Sequence, residues 1–287
     1  MQNFDLHVHD FFDETTPEKF LSQLSEAGIY GAGVFSPPPE SFKRLQGASF
    51  EKRVDRVLSF CHEHPGRLFP VLWVHPYEDG IVENVAKAAE KGVAAFKIIC
   101  NDYYVGDDKS MALMHTIAKL QKPIIFHTGI LWDGTPSSIY NRPINWEPLI
   151  EVPKLKFAMA HCAWPWYDEC IAVYGKIQNA YLANPDACEM FFDLTPGTPV
   201  PYRRDLLTKM FTVGYDVKHN IIFGTDCTTD YNAEWSLKWQ EIDNGLYHEI
   251  GVDDETRQNI YRNNFLRFLG VTKEVITKAR LTSDGRN

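Results

Sequence analysis

The chain has 287 residues, of which 44% are hydrophobic and 23% charged, as is ordinary for a globular protein with a substantial core. A net charge of −9 argues against nucleic acid as partner, because proteins that bind it present a basic face. No run approaches the ~20 apolar residues that span a bilayer, and residues 1–6 lack the features of a signal peptide. With six cysteines expected to be free thiols, these features predict a cytoplasmic protein.

Short apolar runs rich in β-branched and aromatic residues recur along the chain, their starts 26 to 38 residues apart. Each interval leaves room for one crossover helix, which is the pattern of a parallel sheet. The predicted strands are 4–9, 30–36, 68–74, 94–100, 123–128, 156–161, 188–194 and 221–226.

Helical segments are predicted in the intervals. Thr16 and Pro17 are suited to the N-cap and first turn of a helix that ends before Gly28. Further segments have apolar residues at helical spacing or continue to a terminal glycine; they are 51–63, 110–120 and 255–269.

Eight compact apolar strands separated by helices predict an α/β fold, the (β/α)₈ TIM barrel, whose strands are buried on both faces. About 250 residues suffice for this fold. We therefore expect residues 1–287 to form a single domain, with 271–287 as a short C-terminal tail that is partly helical.

Side chains typical of metal sites lie at the ends of the predicted strands. His7 and His9 end the first strand, His127 the fifth, His161 the sixth and Asp226 the eighth. The carboxyl ends of barrel strands face one mouth, so these five residues are expected to converge although they are distant in sequence.

The His7-Val8-His9 spacing has a geometric meaning. Residues i and i+2 of a strand point to the same side, so both imidazoles can reach one ion. A further imidazole and a carboxylate would complete a nitrogen and oxygen site suited to Zn²⁺ or another divalent metal. A lone HxH pair is a weak signal, and the prediction depends on all five residues together.

The motifs in order resemble the amidohydrolase superfamily, and within it the amidohydrolase-2 group. That group includes aminocarboxymuconate-semialdehyde decarboxylase, resorcylate-type decarboxylases and several lactone hydrolases. The resemblance extends along nearly the whole chain. The segments that carry it are FDLHVHD, GVAAFKI, PIIFHTG, FAMAHCAWPW, IIFGTDC and NNFLRFLG.

The resemblance implies roles for individual residues. Four of them correspond to the ligands of a single catalytic metal, usually zinc and in some members manganese; they are His7, His9, His127 and Asp226. It also implies that Asp226 accepts a proton from the metal-bound water, and that His161 polarises the substrate or acts as an acid or base. Lys97, in the fourth strand, leaves a second metal open if it is carboxylated. The favoured interpretation is an unmodified lysine, either near the substrate or in a structural ion pair.

Three functions are compatible with this set. The first is metal-dependent hydrolysis of a lactone, ester or amide, with metal-activated water as nucleophile and Asp226 as proton acceptor. The second is non-oxidative decarboxylation of an aromatic or unsaturated acid at the same metal. The third is a barrel without catalytic activity that acts as a binding module, which the intact ligand positions disfavour.

The loops that follow strands 4 to 7 predict the substrate's character. Their aromatic and arginine side chains favour a small, flat or apolar molecule with a carboxylate, which arginine binds through two hydrogen bonds. The residues proposed to contact it are Tyr104, Trp132, Arg142, Trp164 and Arg203. No nucleic-acid or membrane partner is expected, and homo-oligomerisation is left open.

Overall fold

The computed structural model describes residues 2–271 and contains nine strands within them, all paired in parallel. They are β1 (Asn3–His9), β2 (Ile29–Phe35), β3 (Leu68–Trp73), β4 (Ala95–Ile98), β5 (Ile124–Phe126), β6 (Lys156–Ala160), β7 (Glu189–Asp193), β8 (Ile221–Ile222) and β9 (Cys227–Thr228). The sheet order is β8-β7-β6-β5-β4-β3-β2-β1-β9. Since β8 pairs with β7 and the closely following β9 pairs with β1, the sheet closes into a barrel.

Helices occupy the crossover positions and confirm the (β/α)₈ prediction. The α-helices are α1 (Pro17–Glu26), α2 (Phe50–Cys61), α3 (Ile81–Glu90), α4 (Asp108–Lys119), α5 (Tyr167–Ala183), α6 (Val200–Thr212), α7 (Ala233–Ile250), α8 (Asp254–Gln258) and α9 (Asn264–Phe268). Three short 3₁₀ segments follow β5 and β6; they are Ser138–Asn141, Pro143–Glu151 and His161–Ala163. A π-helical turn, Asn259–Asn263, joins α8 to α9 within the helix predicted at 255–269. As predicted, Thr16 caps α1, its side chain accepting from the Lys19 backbone N–H.

The eighth strand differs from its prediction as one continuous run, 221–226. It is interrupted between β8 and β9, and Asp226 lies in the break with a φ of +59°. The buried carboxylate of Asp5 causes this course, because it accepts hydrogen bonds from the Thr225 backbone N–H at 3.1 Å and the Thr225 hydroxyl at 2.5 Å. Asp226 therefore lies between two short strands at the barrel mouth, and its backbone N–H donates to the His7 carbonyl at 3.0 Å.

A register irregularity in β1 directs its histidines into the barrel. Phe4 and Leu6 pack in the inner apolar cluster, and the pairing with β2 shifts between Asp5 and Val8. Such a bulge changes which face a side chain occupies. Beyond it, Val8 packs outward toward the helices while His7 and His9 line the mouth cavity.

The opposite end of the barrel is closed by aromatic packing. Phe4 stacks on Phe265 of α9 with ring centres 4.7 Å apart, and Phe69 meets Phe265 edge-on at 5.3 Å. Burial of these apolar rings stabilises the fold and leaves the other end of the barrel free for polar groups. All six cysteines are buried and free, as expected.

Two further expectations concern a membrane-spanning helix and the C-terminal tail. Among the helices in residues 2–271, none combines the length and hydrophobicity required to cross a membrane. The tail predicted at 271–287 lies outside the described residues except for its first residue.

Arg203 is a structural residue of the barrel wall and not the substrate contact that its loop position suggested. Its guanidinium is 1% exposed and donates to both carboxylate oxygens of Asp243, at 2.8 and 2.7 Å, and to the Leu194 carbonyl at 2.8 Å. This buried pair ties α6 to α7, and Arg203 does not line the mouth cavity.

Replacing Asp243 by alanine should lower the free energy of unfolding by about 3–5 kcal/mol, because Arg203 would stay buried without a counter-charge. Denaturant unfolding would measure the loss. Asp168→Ala, which removes the carboxylate of the exposed Lys209–Asp168 pair, is the matched control and should cost less than about 1 kcal/mol. Equal losses in the two variants would contradict the structural role of the pair.

Candidate metal centre

Three predicted ligands meet at the barrel mouth. The Nε2 atoms of His7 and His9 lie 3.2 Å apart, and Oδ1 of Asp226 lies 3.5 Å from the first and 3.3 Å from the second. Among the described residues, these three side chains form the group that could hold a metal ion. A tetrahedral ion with bonds of about 2.0–2.1 Å places its ligand atoms about 3.3 Å from one another. The observed triangle therefore fits a zinc-sized divalent ion.

A further carboxyl group, that of the buried Asp193 at the end of β7, holds His7. Its Oδ2 lies 2.6 Å from His7 Nδ1, and its Oδ1 accepts hydrogen bonds from the backbone N–H and the hydroxyl of Thr195. Gly224 makes room for this contact, because a Cβ there would lie 2.8 Å from Asp193 Oδ1 and 3.0 Å from His7 Cβ. Sequence reasoning missed Asp193 although it also ends a predicted strand.

The electrostatics of the site favour the metal-binding protonation states. Burial lowers the pKa of His7 to about 3, with the Lys97 charge adding to the effect against the opposing influence of Asp193. Burial also lowers the pKa of His127 and of His161. Burial alone would raise the pKa of Asp226, but the His9 hydrogen bond and nearby histidines hold it well below its usual range. Neutral imidazoles beside an ionised carboxylate are the forms that ligate a metal.

His127 and His161 lie next to this group but are not part of it. Nε2 of His127 is 3.2 Å from the Ile130 carbonyl, to which it can donate, and its ring centre is 4.9 Å from that of His161. The His161 ring is 5.6 Å from that of His7, and its Nδ1 has no hydrogen-bond partner among the described residues. The structure thus brings together three of the four predicted ligands, and ligation by His127 stays a prediction.

The backbone around His161 is constrained. His161, Cys162 and Ala163 all have positive φ values, of 61°, 44° and 56°. Non-glycine residues rarely adopt this conformation, and it persists where surrounding structure enforces it, often at functional sites. Gly197 packs directly over the histidine, since a Cβ there would lie 2.5 Å from His161 Cβ.

Lys97 of β4 points into the same space. Its side chain is buried, and Nζ lies 5.3 Å from the centre of the Phe35 ring. Burial lowers its pKa to about 8, although Asp193 and Asp226 oppose the shift. Within residues 2–271 its ammonium makes no hydrogen bond and no ion pair. Only the more distant charges of Asp193 and Asp226 act on it.

The centre opens into a cavity of about 370 Å³ with an aromatic wall. Two of the predicted substrate contacts, Trp132 and Trp164, line it. Sequence reasoning missed the other lining groups from the loops after β1 and β2 and from the end of β3, which include Phe11, Phe42, Arg44 and Trp73. Position after a strand end was the signal that could have identified them.

Two other predicted contacts do not line the cavity. Arg142 donates to the Glu169 carboxylate at 3.1 and 2.9 Å, and it packs over Trp166. Tyr104 is 39% exposed and packs edge-on against Tyr140. Their positions assign both residues to the outer surface of the loops, and Arg203 lies in the barrel wall as described above.

The family profile described as Amidohydrolase matches residues 5–271 and so includes every residue of the centre. The chain belongs to the amidohydrolase family. No curated protein matches its sequence.

Solved structures with the same fold include a hydrolase, a decarboxylase and an amidohydrolase. A probable 2-pyrone-4,6-dicarboxylic acid hydrolase from Acinetobacter baumannii, with citric acid bound, is 13% identical (94% of this chain and 100% of that chain covered, TM-score 0.63). The 2,6-dihydroxybenzoate decarboxylase from Rhizobium is 14% identical (94% and 99%, TM-score 0.65). A zinc-bound amidohydrolase from Burkholderia multivorans is 9% identical (95% and 100%, TM-score 0.66). At these identities the likeness establishes the fold alone.

Purified protein should contain a divalent ion, and His9→Ala should weaken its binding at least about 100-fold, because one corner of the ligand triangle is removed. Elemental analysis and chelator competition would measure content and affinity. His248→Ala, which removes an exposed histidine of α7, should bind the ion as the unchanged protein does. Equal metal content in both variants would contradict the assignment.

Proposed function

We propose that this amidohydrolase is a metal-dependent hydrolase of a lactone, ester or amide bond in a small substrate that carries a carboxylate. The observation that supports this most directly is the triangle of His7, His9 and Asp226 at the floor of an aromatic cavity that also holds Lys97. Family membership supports an enzyme over a binding module with no activity.

The resident cofactor we propose is one divalent ion, zinc first and manganese as the alternative. When bound, such an ion polarises a carbonyl and lowers the pKa of a coordinated water to roughly 7. His7, His9 and Asp226 would hold it, with His127 as the proposed fourth ligand. A single ion is favoured because one ligand triangle is present among the described residues, while Lys97 has no partner that would mark a second site.

We assign the proton transfer to Asp226. Its side chain is 38% exposed toward the cavity, whereas the side chains of His7 and His9 are 1% and 10% exposed. As an ionised carboxylate it can accept a proton from the attacking water and return it to the leaving group. His161 also lines the cavity, and it is suited to donate a hydrogen bond to the carbonyl oxygen as charge develops there.

Two cations give the cavity its preference for an anion. Lys97 lies at the inner end, and Arg44 is an exposed residue that also lines the cavity. The chain as a whole has a net charge of −9, whereas the cavity is lined by these two cations and by one carboxylate, that of Asp226. This local excess of positive charge favours a substrate with a negative charge.

A second candidate is decarboxylation of an aromatic acid. The aromatic lining favours it, since Phe11, Trp73 and Trp132 offer flat apolar surfaces on which a planar ring can pack. Both reactions use the same ligands, and they differ in whether water or a proton is added to the substrate.

Turnover in isotopically labelled water separates the two candidates. Hydrolysis should place labelled oxygen in the product carboxylate with no release of CO₂. A panel of lactones, esters and amides bearing a carboxylate, together with hydroxylated benzoates, would be analysed by mass spectrometry and CO₂ detection. Release of CO₂ with a solvent proton added to carbon would replace hydrolysis by decarboxylation.

Lys97→Met should raise KM for an anionic substrate about 10- to 100-fold, since a charged hydrogen bond contributes about 1.5–3 kcal/mol. It should also stabilise the metal-free fold by on the order of 1–3 kcal/mol at neutral pH. In the folded protein the pKa of Lys97 is about 8, below the ordinary 10.5, which means that the native state disfavours the charged form of this amine.

That destabilisation by Lys97 is fully present below pH 8 and disappears as the pH rises to 10.5. The stability difference between Lys97→Met and the unchanged protein should therefore narrow across this window in denaturant unfolding. Lys91→Met, at an exposed lysine, is the control for both measurements. An unchanged KM would exclude Lys97 from substrate binding.

A further inference from the structure

Asp193 is a buried carboxylate that the proposed reaction does not use, and it contacts only one of the candidate ligands. We infer that Asp193 is the positioning residue that fixes the tautomer of His7 and thereby sets the affinity of the centre for a metal ion. The inference rests on the proposed metal site, and it concerns which ring nitrogen of His7 carries the proton.

The hydrogen-bond pattern leaves His7 one tautomer. Oδ1 of Asp193 already accepts from the Thr195 backbone N–H at 2.9 Å and from its hydroxyl, and Oδ2 faces His7 Nδ1 at 2.6 Å. An ionised carboxylate accepts hydrogen bonds and donates none. His7 must therefore carry its proton on Nδ1, which leaves the lone pair on Nε2 directed toward His9 and Asp226.

Packing prevents this carboxylate from turning away. Asp193 and His7 are both fully buried, and the Gly224 backbone packs closely on them, since a Cβ there would lie 2.8 Å from Asp193 Oδ1 and 3.0 Å from His7 Cβ. His9 lacks such a partner, since its Nδ1 has no hydrogen bond among the described residues. The centre thus combines one ligand whose tautomer is preset with one whose tautomer is free to adapt.

Two substitutions at Asp193 act differently on His7. In Asp193→Asn the amide oxygen can keep both Thr195 donors, which turns the amide NH₂ toward His7 Nδ1. The imidazole must then accept at Nδ1 and carry its proton on Nε2, where it blocks the metal. Asp193→Ala removes the partner and leaves both tautomers open.

The test uses the full-length protein in metal-free form. Ring-nitrogen NMR, with the His7 signals assigned by their loss in His7→Gln, should find the proton on Nδ1 in the unchanged protein and on Nε2 in Asp193→Asn. Chelator competition with Zn²⁺ should give a Kd raised about 10-fold in Asp193→Ala and about 100-fold in Asp193→Asn. Asp186→Asn, at an exposed aspartate, is the matched control.

A role limited to filling space predicts the reverse order, because Asn has nearly the shape of Asp. Zinc binding by Asp193→Asn equal to that of the unchanged protein, with Asp193→Ala the weaker variant, would overturn the inference. A proton on Nε2 of His7 in the unchanged protein would overturn it without any variant. Absence of Zn²⁺ binding by the unchanged protein would instead count against the proposed metal function, while the NMR result still decides the tautomer.

Discussion

The closure of the barrel between β1 and the interrupted eighth strand is the constraint on which the site depends. Backbone hydrogen bonds run from Leu6 to Phe223, from Asp226 to His7 and from Thr229 to His9, at 2.9–3.0 Å. They bring the two ends of the fold into register at the barrel mouth. Because the break in the eighth strand falls inside this ladder, the Asp226 carboxylate is held against both imidazoles by the same bonds that close the sheet.

This arrangement concentrates groups that are unfavourable to bury. Asp5, Asp193 and Lys97 are each at most 1% exposed, and each loses hydration on folding. Asp193 recovers it through hydrogen bonds from His7 and Thr195, whereas Asp5 does so only in part, since burial raises its pKa to about 7 despite the hydrogen bonds from Thr225. Lys97 does not, and its lowered pKa is the consequence. An ammonium without a partner costs stability that an aliphatic side chain would not, which supports the proposed contact of Lys97 with an anionic substrate.

The sequence predicted the barrel more completely than the site. Each of the first seven strands begins within one residue of its predicted start, because buried apolar runs are visible locally. The break at Asp226 was not predicted, since its cause is Asp5, 220 residues away from Thr225. The meeting of His7, His9 and Asp226 followed from their strand-end positions alone. The positions of Arg142 and Arg203 could not be predicted in this way. Their partners, Glu169 and Asp243, lie on helices, and the sequence does not determine which side chains of those helices face the arginines.

Strand ends are placed by the barrel itself, so residues there converge whatever the loops do. The segments between the strands decide which charges reach the substrate. Arg142 and Arg203 of α6 are paired with carboxylates, whereas Arg44 lies beside the cavity. The two proposed reactions share one set of metal ligands, which therefore specifies how the substrate is activated. The choice between adding water and removing CO₂ depends on how the aromatic and cationic side chains of the loops orient the substrate above Asp226.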